Sequence, residues 1–220
     1  ALFREDGLRE RLLRAPAAKR IHHAYVGGLL EHVLSMAAAY RGMAAHYEAY
    51  YPGLLDHDLL LAGILLHDIG KVDELSSEPG FAYTDAGQML GHIFIGSARV
   101  GRIAAQIKGF PRERLEAVQH LILSHHGELE YGSPVRPRMA EVVLLHYLDQ
   151  IDSKLNHARA TIAEAGEGAS WSPPSRIFDG ALRVPGAPVA ALPLVSPPAP
   201  SRPAPRTTLS EPSLSLFPDE

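Results

Sequence analysis

Apolar residues recur at helical spacing from near the start of the chain to about residue 165, and there the pattern stops. Leu8, Leu12 and Leu13 mark a first helix over 5–14. An Ala-, Leu- and Met-rich run predicts a second helix over about 24–49, ended by Tyr51-Pro52-Gly53. The run LLLAGILLHD reads as a third, capped at its start by Asp56 or Asp58 and closed by Gly70. Residues 76–88 hold Gly, Pro and Asp without helical period and read as a loop or small hairpin. Further helices are predicted at about 90–108, 111–126 (with Pro111 at the start) and 136–165. In the last of these, Val142, Leu145, Leu148, Ile151 and Leu155 form one apolar stripe, with His146, Asp149 and Ser153 beside it. No section is rich in strands and none repeats. The expected class is all-α, a bundle of about six helices.

The C-terminal part has a different composition. Of 18 prolines, 12 fall between 170 and 220. Proline removes a backbone donor and fixes φ, so this stretch cannot continue the bundle. The chain is therefore divided into a helical domain over 1–165 and a Pro/Ser-rich disordered tail over 166–220.

Charge and composition narrow the chemistry. The net charge of −4 argues against bulk electrostatic binding of nucleic acid, although it leaves room for a local basic groove. There is no cysteine, so a metal would have to be held by His, Asp or Glu. No apolar run reaches the ~18 residues of a membrane helix, and no secretory signal opens the chain. A cytoplasmic location without membrane contact is expected. The first residue is not Met, which suggests a piece of a longer protein.

The chain has 12 histidines, and several stand where helices should end. His67-Asp68 closes an apolar helix. A carboxylate following Ile64, Leu65 and Leu66 is costly to bury unless something pairs it, and a divalent cation would do so. Neighbouring residues on a helix point about 100° apart, so both reach one ion only where the helix breaks. His125-His126 repeats the arrangement ahead of Gly127. His32 lies on a half-apolar face, His92 at a predicted helix start, and Asp149 and Asp152 beside the last apolar stripe. Each position alone also fits a packed core histidine or a solvated acid. Their placement on different helices is what suggests a site built between helices. Gly27 and Gly28 suggest close approach by substrate or by a neighbouring element. His23 and Tyr25 could offer ring faces to a base, and Arg136 and Arg138 could contact phosphate. A solvated or core role remains open for each.

The segments HHAYVGGLLEH, LLLAGILLHDIGKVDEL, GHIFIG, LSHHGELEYGSP and LHYLDQIDSKLN, in this order, resemble the HD superfamily of metal-dependent phosphohydrolases. Within it they resemble the YhaM family of 3′→5′ exoribonucleases, over about residues 16–160. The resemblance implies an HD-type helical bundle that binds two divalent metal ions. His32, His67, Asp68 and Asp149 would hold the first ion. Asp68 would bridge to the second, held by His92, His125 and His126. Asp152 would orient a ligand, and Lys71 would contact a phosphate oxygen. Mn²⁺ is implied, and Fe²⁺ or Mg²⁺ also suits nitrogen and oxygen donors. The expected activity is phosphodiester hydrolysis of single-stranded RNA from the 3′ end, with Asp68 and Lys71 as catalytic residues and His23, Arg136 and Arg138 on the substrate. Alternatives are an HD-type nucleotide phosphohydrolase, a di-iron oxygenase with the same ligands, and a non-catalytic nucleic-acid-binding module. GELEYGSP follows the histidine pair where cyclic-dinucleotide phosphodiesterases of the superfamily carry GYP, so that reading is a minor one. YhaM proteins carry an N-terminal OB-fold module, and no β-rich segment precedes the HD motifs here.

Overall fold

The structure is a computed structural model, and it describes residues 7–20, 22–78 and 80–186. Seven α-helices follow one another among these residues: α1 (Leu8–Arg14), α2 (Gly28–Tyr50), α3 (His57–Leu66), α4 (Lys71–Glu74), α5 (Asp85–Ala104), α6 (Arg112–Ser124) and α7 (Ala140–Ala163). A single 3₁₀ turn, Leu129–Tyr131, joins α6 to α7. Strand pairing among the described residues is confined to isolated bridges, so the class is all-α as expected. None of the helices is long and apolar enough to cross a membrane.

Two apolar clusters hold the helices together. The larger joins Met36 and Tyr40 of α2, Leu60 and Ile64 of α3, Leu121 and Ile122 of α6, and Leu145 and Leu148 of α7. The smaller joins Leu8, Ala15 and Ala17 to Leu29, Val33, Ile69 and Val72. Ile64 belongs to the first cluster and Ile69 to the second, so His67-Asp68 falls at the seam between them. His32 lies at the same seam, between Val33 of the small cluster and Met36 of the large one. Burying a Leu or Ile side chain contributes about 1.5–3 kcal/mol, which offsets the cost of keeping polar groups between the clusters.

The ends of α3 follow from its neighbours. Asp56 caps it, accepting from Leu59 N at 2.9 Å, and also pairs with Arg114 of α6. Asp56→Ala is expected to lower stability by about 1 kcal/mol, read as a lower denaturant midpoint. The stripe predicted on α7 is only partly buried. Val142, Leu145 and Leu148 lie in the core, whereas Ile151 is 53% and Leu155 67% exposed. At 3.6 residues per turn a row drifts around the helix, and by Ile151 the buried face has passed to Asp149 and Asp152.

Helix α5 starts at Asp85, within the segment read as a loop, with Thr84 as its cap. It is broken at Gly91 (φ 69°, ψ 155°) and starts again at His92. The expected hairpin is shorter than 76–88: Leu75 bridges Tyr83, and Ser76 N donates to Ala82 O. Within the segment assigned to the tail, residues 170–184 carry local pairing. Trp171 bridges Arg183, Ser175 bridges Gly180, and Phe178 stacks on His157 of α7. Contact with α7 gives this Pro-containing piece a partner that its composition alone does not reveal. The tail over 187–220, and the first residues of the predicted 5–14 helix, lie outside the described residues.

Candidate metal centre

Helix α3 stops at Leu66, and a tight turn carries His67-Asp68 into α4. His67 N donates to Gly63 O, Ile69 N to Leu66 O and Lys71 N to Asp68 O. This turn brings both side chains inward, and His67 is 0% and Asp68 2% exposed. Gly70 does not make the turn through a left-handed conformation, since its φ is −68°. A Cβ on Gly70 would lie 2.0 Å from His92 O and 2.7 Å from Gly96 N. The glycine lets α5 approach the His-Asp turn. Gly127, by contrast, is left-handed (φ 83°) and ends the His125-His126 turn as predicted.

The two oxygens of Asp68 face different histidines. Oδ2 lies 3.4 Å from His67 Nε2 and 4.0 Å from His32 Nε2, which in turn is 3.3 Å from Asp149 Oδ1. Oδ1 lies 3.4 Å from His92 Nε2 and 3.6 Å from His125 Nε2. His126 completes this side, its ring centroid 4.3 Å from His125 and 5.3 Å from His92. His32, His67 and Asp68 each offer an atom within 4.8 Å of the others, and so do His92, His125 and His126. All seven residues drawn from the family pattern therefore converge, in two groups on either side of Asp68.

Every histidine of the set is oriented the same way. Nδ1 of His67 donates to Ile64 O (3.0 Å) and Nδ1 of His125 to Ile122 O (2.8 Å). Nδ1 of His126 donates to Tyr131 O (2.7 Å), that of His92 to Glu74 Oε1 (3.0 Å) and that of His32 to Asp152 Oδ2 (2.7 Å). In a neutral ring, protonation at Nδ1 leaves the lone pair on Nε2, so each of the five Nε2 atoms can serve the centre once its ring is neutral. His32 Nε2, His67 Nε2, His92 Nε2 and Asp68 Oδ1 are buried without any hydrogen-bond partner. Leaving four such groups unsatisfied costs about 1–3 kcal/mol each. Spacings of 3.3–3.6 Å are longer than a well-formed hydrogen bond of about 2.7–3.2 Å, and they match atoms sharing an ion at bonds of about 2.0–2.2 Å. The donor set fits divalent metal, with one group of donors facing each oxygen of Asp68.

Electrostatics point the same way. Burial pushes the Asp68 carboxyl up, but the Lys71 ammonium, with Nζ 2.6 Å from Oδ2, and the nearby His67 hold it well below the usual range. Asp149 and Asp152 are held low against burial as well, by His32 and His67 in the first case and by His23, His32 and Ser35 in the second. All three acids are therefore ionised. Burial keeps His125 and His126 below the ordinary histidine range, in the neutral form that ligates. For His32, burial opposes the charged form, but the carboxylates of Asp149 and Asp152 prevail and raise it to about 9. A cation bound there must displace that proton.

Asp152 accepts from His32 Nδ1 and His23 Nε2 and from the Ser35 hydroxyl, so it stands behind His32 rather than against Asp68. Asp152→Asn is expected to weaken Mn²⁺ binding by about 10- to 100-fold, measured by titration calorimetry.

Lys71 is 9% exposed and paired, so it is not a solvated lysine at a helix end. It lines a cavity of ≈ 200 Å³ with His22, Asp68, His126, Tyr131 and Asp149. His23 does not reach this cavity. It is 4% exposed, its Nε2 donates to Asp152, and its Nδ1 accepts from the Tyr25 hydroxyl at 2.8 Å. No face of it is left for a base, which corrects its assignment to substrate. The close approach expected at Gly28 is to the carbonyl of His23 within the preceding loop, not to substrate. Arg136 and Arg138 line a separate cleft with His120, Leu129 and Val135, and Arg136 pairs with Glu128. The structure does not bring them to the centre.

Two residues of the centre had no signal in the sequence. Glu74 binds the backbone N of His92 (2.9 Å) as well as its ring, capping the helix that restarts after Gly91. His22 lines the cavity, and burial and then Lys71 lower its pKa to about 4, leaving it neutral.

Comparison with known proteins agrees with this arrangement. The chain is 44% identical over 141 residues to the 3′-5′ exoribonuclease YhaM of Bacillus subtilis, and equally to those of Bacillus licheniformis and Bacillus pumilus. Each match covers 64% of this chain and 43% of the relative, so the chain spans less than half the length of these relatives. No solved structure matches it. The family model described as HD domain matches residues 29–154, a span that contains every residue of the two groups around Asp68, and the chain belongs to that family.

Proposed function

We propose that this chain is a metal-dependent phosphodiesterase that hydrolyses single-stranded RNA from its 3′ end. The observation that carries the reading is the convergence of unpartnered Nε2 and carboxylate atoms on both oxygens of Asp68. In this reading His32, His67, Asp68 and Asp149 hold one ion, and Asp68, His92, His125 and His126 hold a second. Mn²⁺ suits a donor set of nitrogen and oxygen without sulfur. Two such ions supply a hydroxide nucleophile at neutral pH and neutralise charge on the phosphoryl oxygens.

The chain's own residues do the rest. Asp68 holds the two halves of the centre in register, one oxygen to each. The backbone carbonyls behind His67 and His125, and the carboxylates of Glu74 and Asp152, keep the rings from turning. Lys71, on the wall of the cavity beside Asp68, places an ammonium for a non-bridging phosphate oxygen. His22, neutral on the same wall, offers one N–H to the substrate. The exoribonuclease assignment draws on the names of the relatives, and the hydrolytic chemistry on the centre and on the family.

Purified protein with Mn²⁺ and 5′-labelled single-stranded RNA tests the proposal. Stepwise shortening with release of 5′-mononucleotides supports it. Hydrolysis confined to free nucleotides would instead mark a nucleotide phosphohydrolase, and iron retention with oxygen consumption an oxygenase. RNA binding without turnover in the metal-loaded protein would mark a non-catalytic module.

A further inference from the structure

A second cleft, of about 410 Å³, opens beside the centre. Lys71, His92 and His126 of the centre share its wall with Lys19, Arg20 and Tyr83. Lys19 and Arg20 are exposed and have no carboxylate partner among the described residues. The cleft thus presents two cations with no carboxylate partner among the described residues, with Glu74 also on its wall, on a chain of negative net charge. Tyr83 is 44% exposed, and Lys19 Nζ lies 5.4 Å from its ring centroid. Cations beside a part-exposed aromatic ring are what a nucleotide needs, with its phosphates on the cations and its base on the ring.

The platform is anchored to the centre through α4. Tyr83 bridges Leu75, Thr84 N donates to Glu74 O (3.0 Å), and the Thr84 hydroxyl donates to Asp73 O (2.6 Å). The same short helix carries Lys71 at one end and Glu74, which orients His92, at the other. A base stacked on Tyr83 is therefore held in fixed relation to the metal-facing histidines. The cation–π contact from Lys19 does not compete strongly. At an exposed site it is weaker than base stacking, so a base displaces the ammonium toward the adjacent phosphate.

We infer that this cleft holds the nucleotide adjoining the scissile phosphate of single-stranded RNA, with its base on Tyr83 and its flanking phosphates on Lys19 and Arg20. The inference rests on the hydrolase reading above and assigns its substrate subsite. It is tested on the full chain with a short fluorescein-labelled oligouridylate. Binding is read by anisotropy in Ca²⁺ and turnover in Mn²⁺, so that the two claims separate. Tyr83→Ala is expected to weaken binding about tenfold and to raise KM accordingly with little change in kcat, whereas Tyr83→Phe restores both. Lys19→Ala with Arg20→Ala is expected to reduce the slope of log K against log salt by about 1.4, at ~0.7 per phosphate contact on a single strand. Arg41→Ala, on the exposed face of α2, serves as the charge control and leaves the slope unchanged. Thermal melting of each variant checks the fold.

Wild-type turnover with variants that bind and react like it would overturn the cleft and leave the hydrolase reading standing. A Tyr83→Phe protein as weak as Tyr83→Ala would overturn the stacking role. Binding with the expected variant pattern but no turnover would support the cleft and overturn the hydrolase reading. Absence of both binding and turnover in the wild type would overturn both.

Discussion

Asp68→Ala is expected to abolish metal-dependent hydrolysis, a loss greater than the 10- to 100-fold that follows removal of a group supporting a ligand. One oxygen of this carboxylate faces His67 and His32 and the other faces His92 and His125, so its loss opens both halves of the centre. The substitution also acts on the fold. Lys71 is buried with its ammonium 2.6 Å from Asp68, and truncating the acid leaves that charge without its nearest partner. Breaking a buried pair on one side costs about 3–5 kcal/mol. In the metal-stripped protein, Asp68→Ala is therefore expected to melt well below the wild type. Combining it with Lys71→Met is expected to recover part of the loss while activity stays absent. Denaturant unfolding of the two single variants and the double variant measures this as a cycle. Lys71→Met alone shows how much activity the lysine carries, and the further loss in the double variant, with stability recovered, separates the chemical role of Asp68 from its structural one. Equal stability of all the variants would contradict the pairing.

Gly70→Ala is expected to cost about 3 kcal/mol and to damage the His92 side of the centre first. The added Cβ would fall 2.0 Å from His92 O and 2.7 Å from Gly96 N. Both are backbone atoms, so no side chain can swing aside, and α5 itself must move away from the His-Asp turn. His92 moves with it, and its hydrogen bonds from N and Nδ1 to Glu74 are stretched. The expected result is a lower melting temperature together with weaker binding of one Mn²⁺, resolved by titration calorimetry as one of two sites weakened. Two undisturbed sites in Gly70→Ala would contradict this packing.

These two residues show what was legible in the sequence. The helices of the bundle follow from apolar spacing, from the Asp56 cap and from Pro111 and Gly127 at helix ends. The same spacing sets His67-Asp68 and His125-His126 where helices turn inward. Long-range geometry was not legible. Gly70 reads as a helix stop, yet its conformation is ordinary and its role is contact with α5, which sequence spacing does not encode. Asp149 and Asp152 fit an outward face equally well until His32 and His23 are packed against them. His23 and His22 are neighbours of the same type, and only the fold decides that the first is locked behind His32 while the second reaches the cavity. Glu74 lies in a four-residue helix too short to show a period. Residues 170–184 look unstructured from their prolines because their partner, His157, lies on α7.

The central claim is that the histidines and acids around Asp68 form a two-metal centre. Elemental analysis of the 220-residue chain after dialysis against Mn²⁺, beside Asp68→Ala and His92→Ala, tests it most directly. Two equivalents per wild-type chain, about one in His92→Ala and at most one in Asp68→Ala are expected. A folded wild-type protein that retains no divalent ion, or variants that retain as much as the wild type, would contradict it.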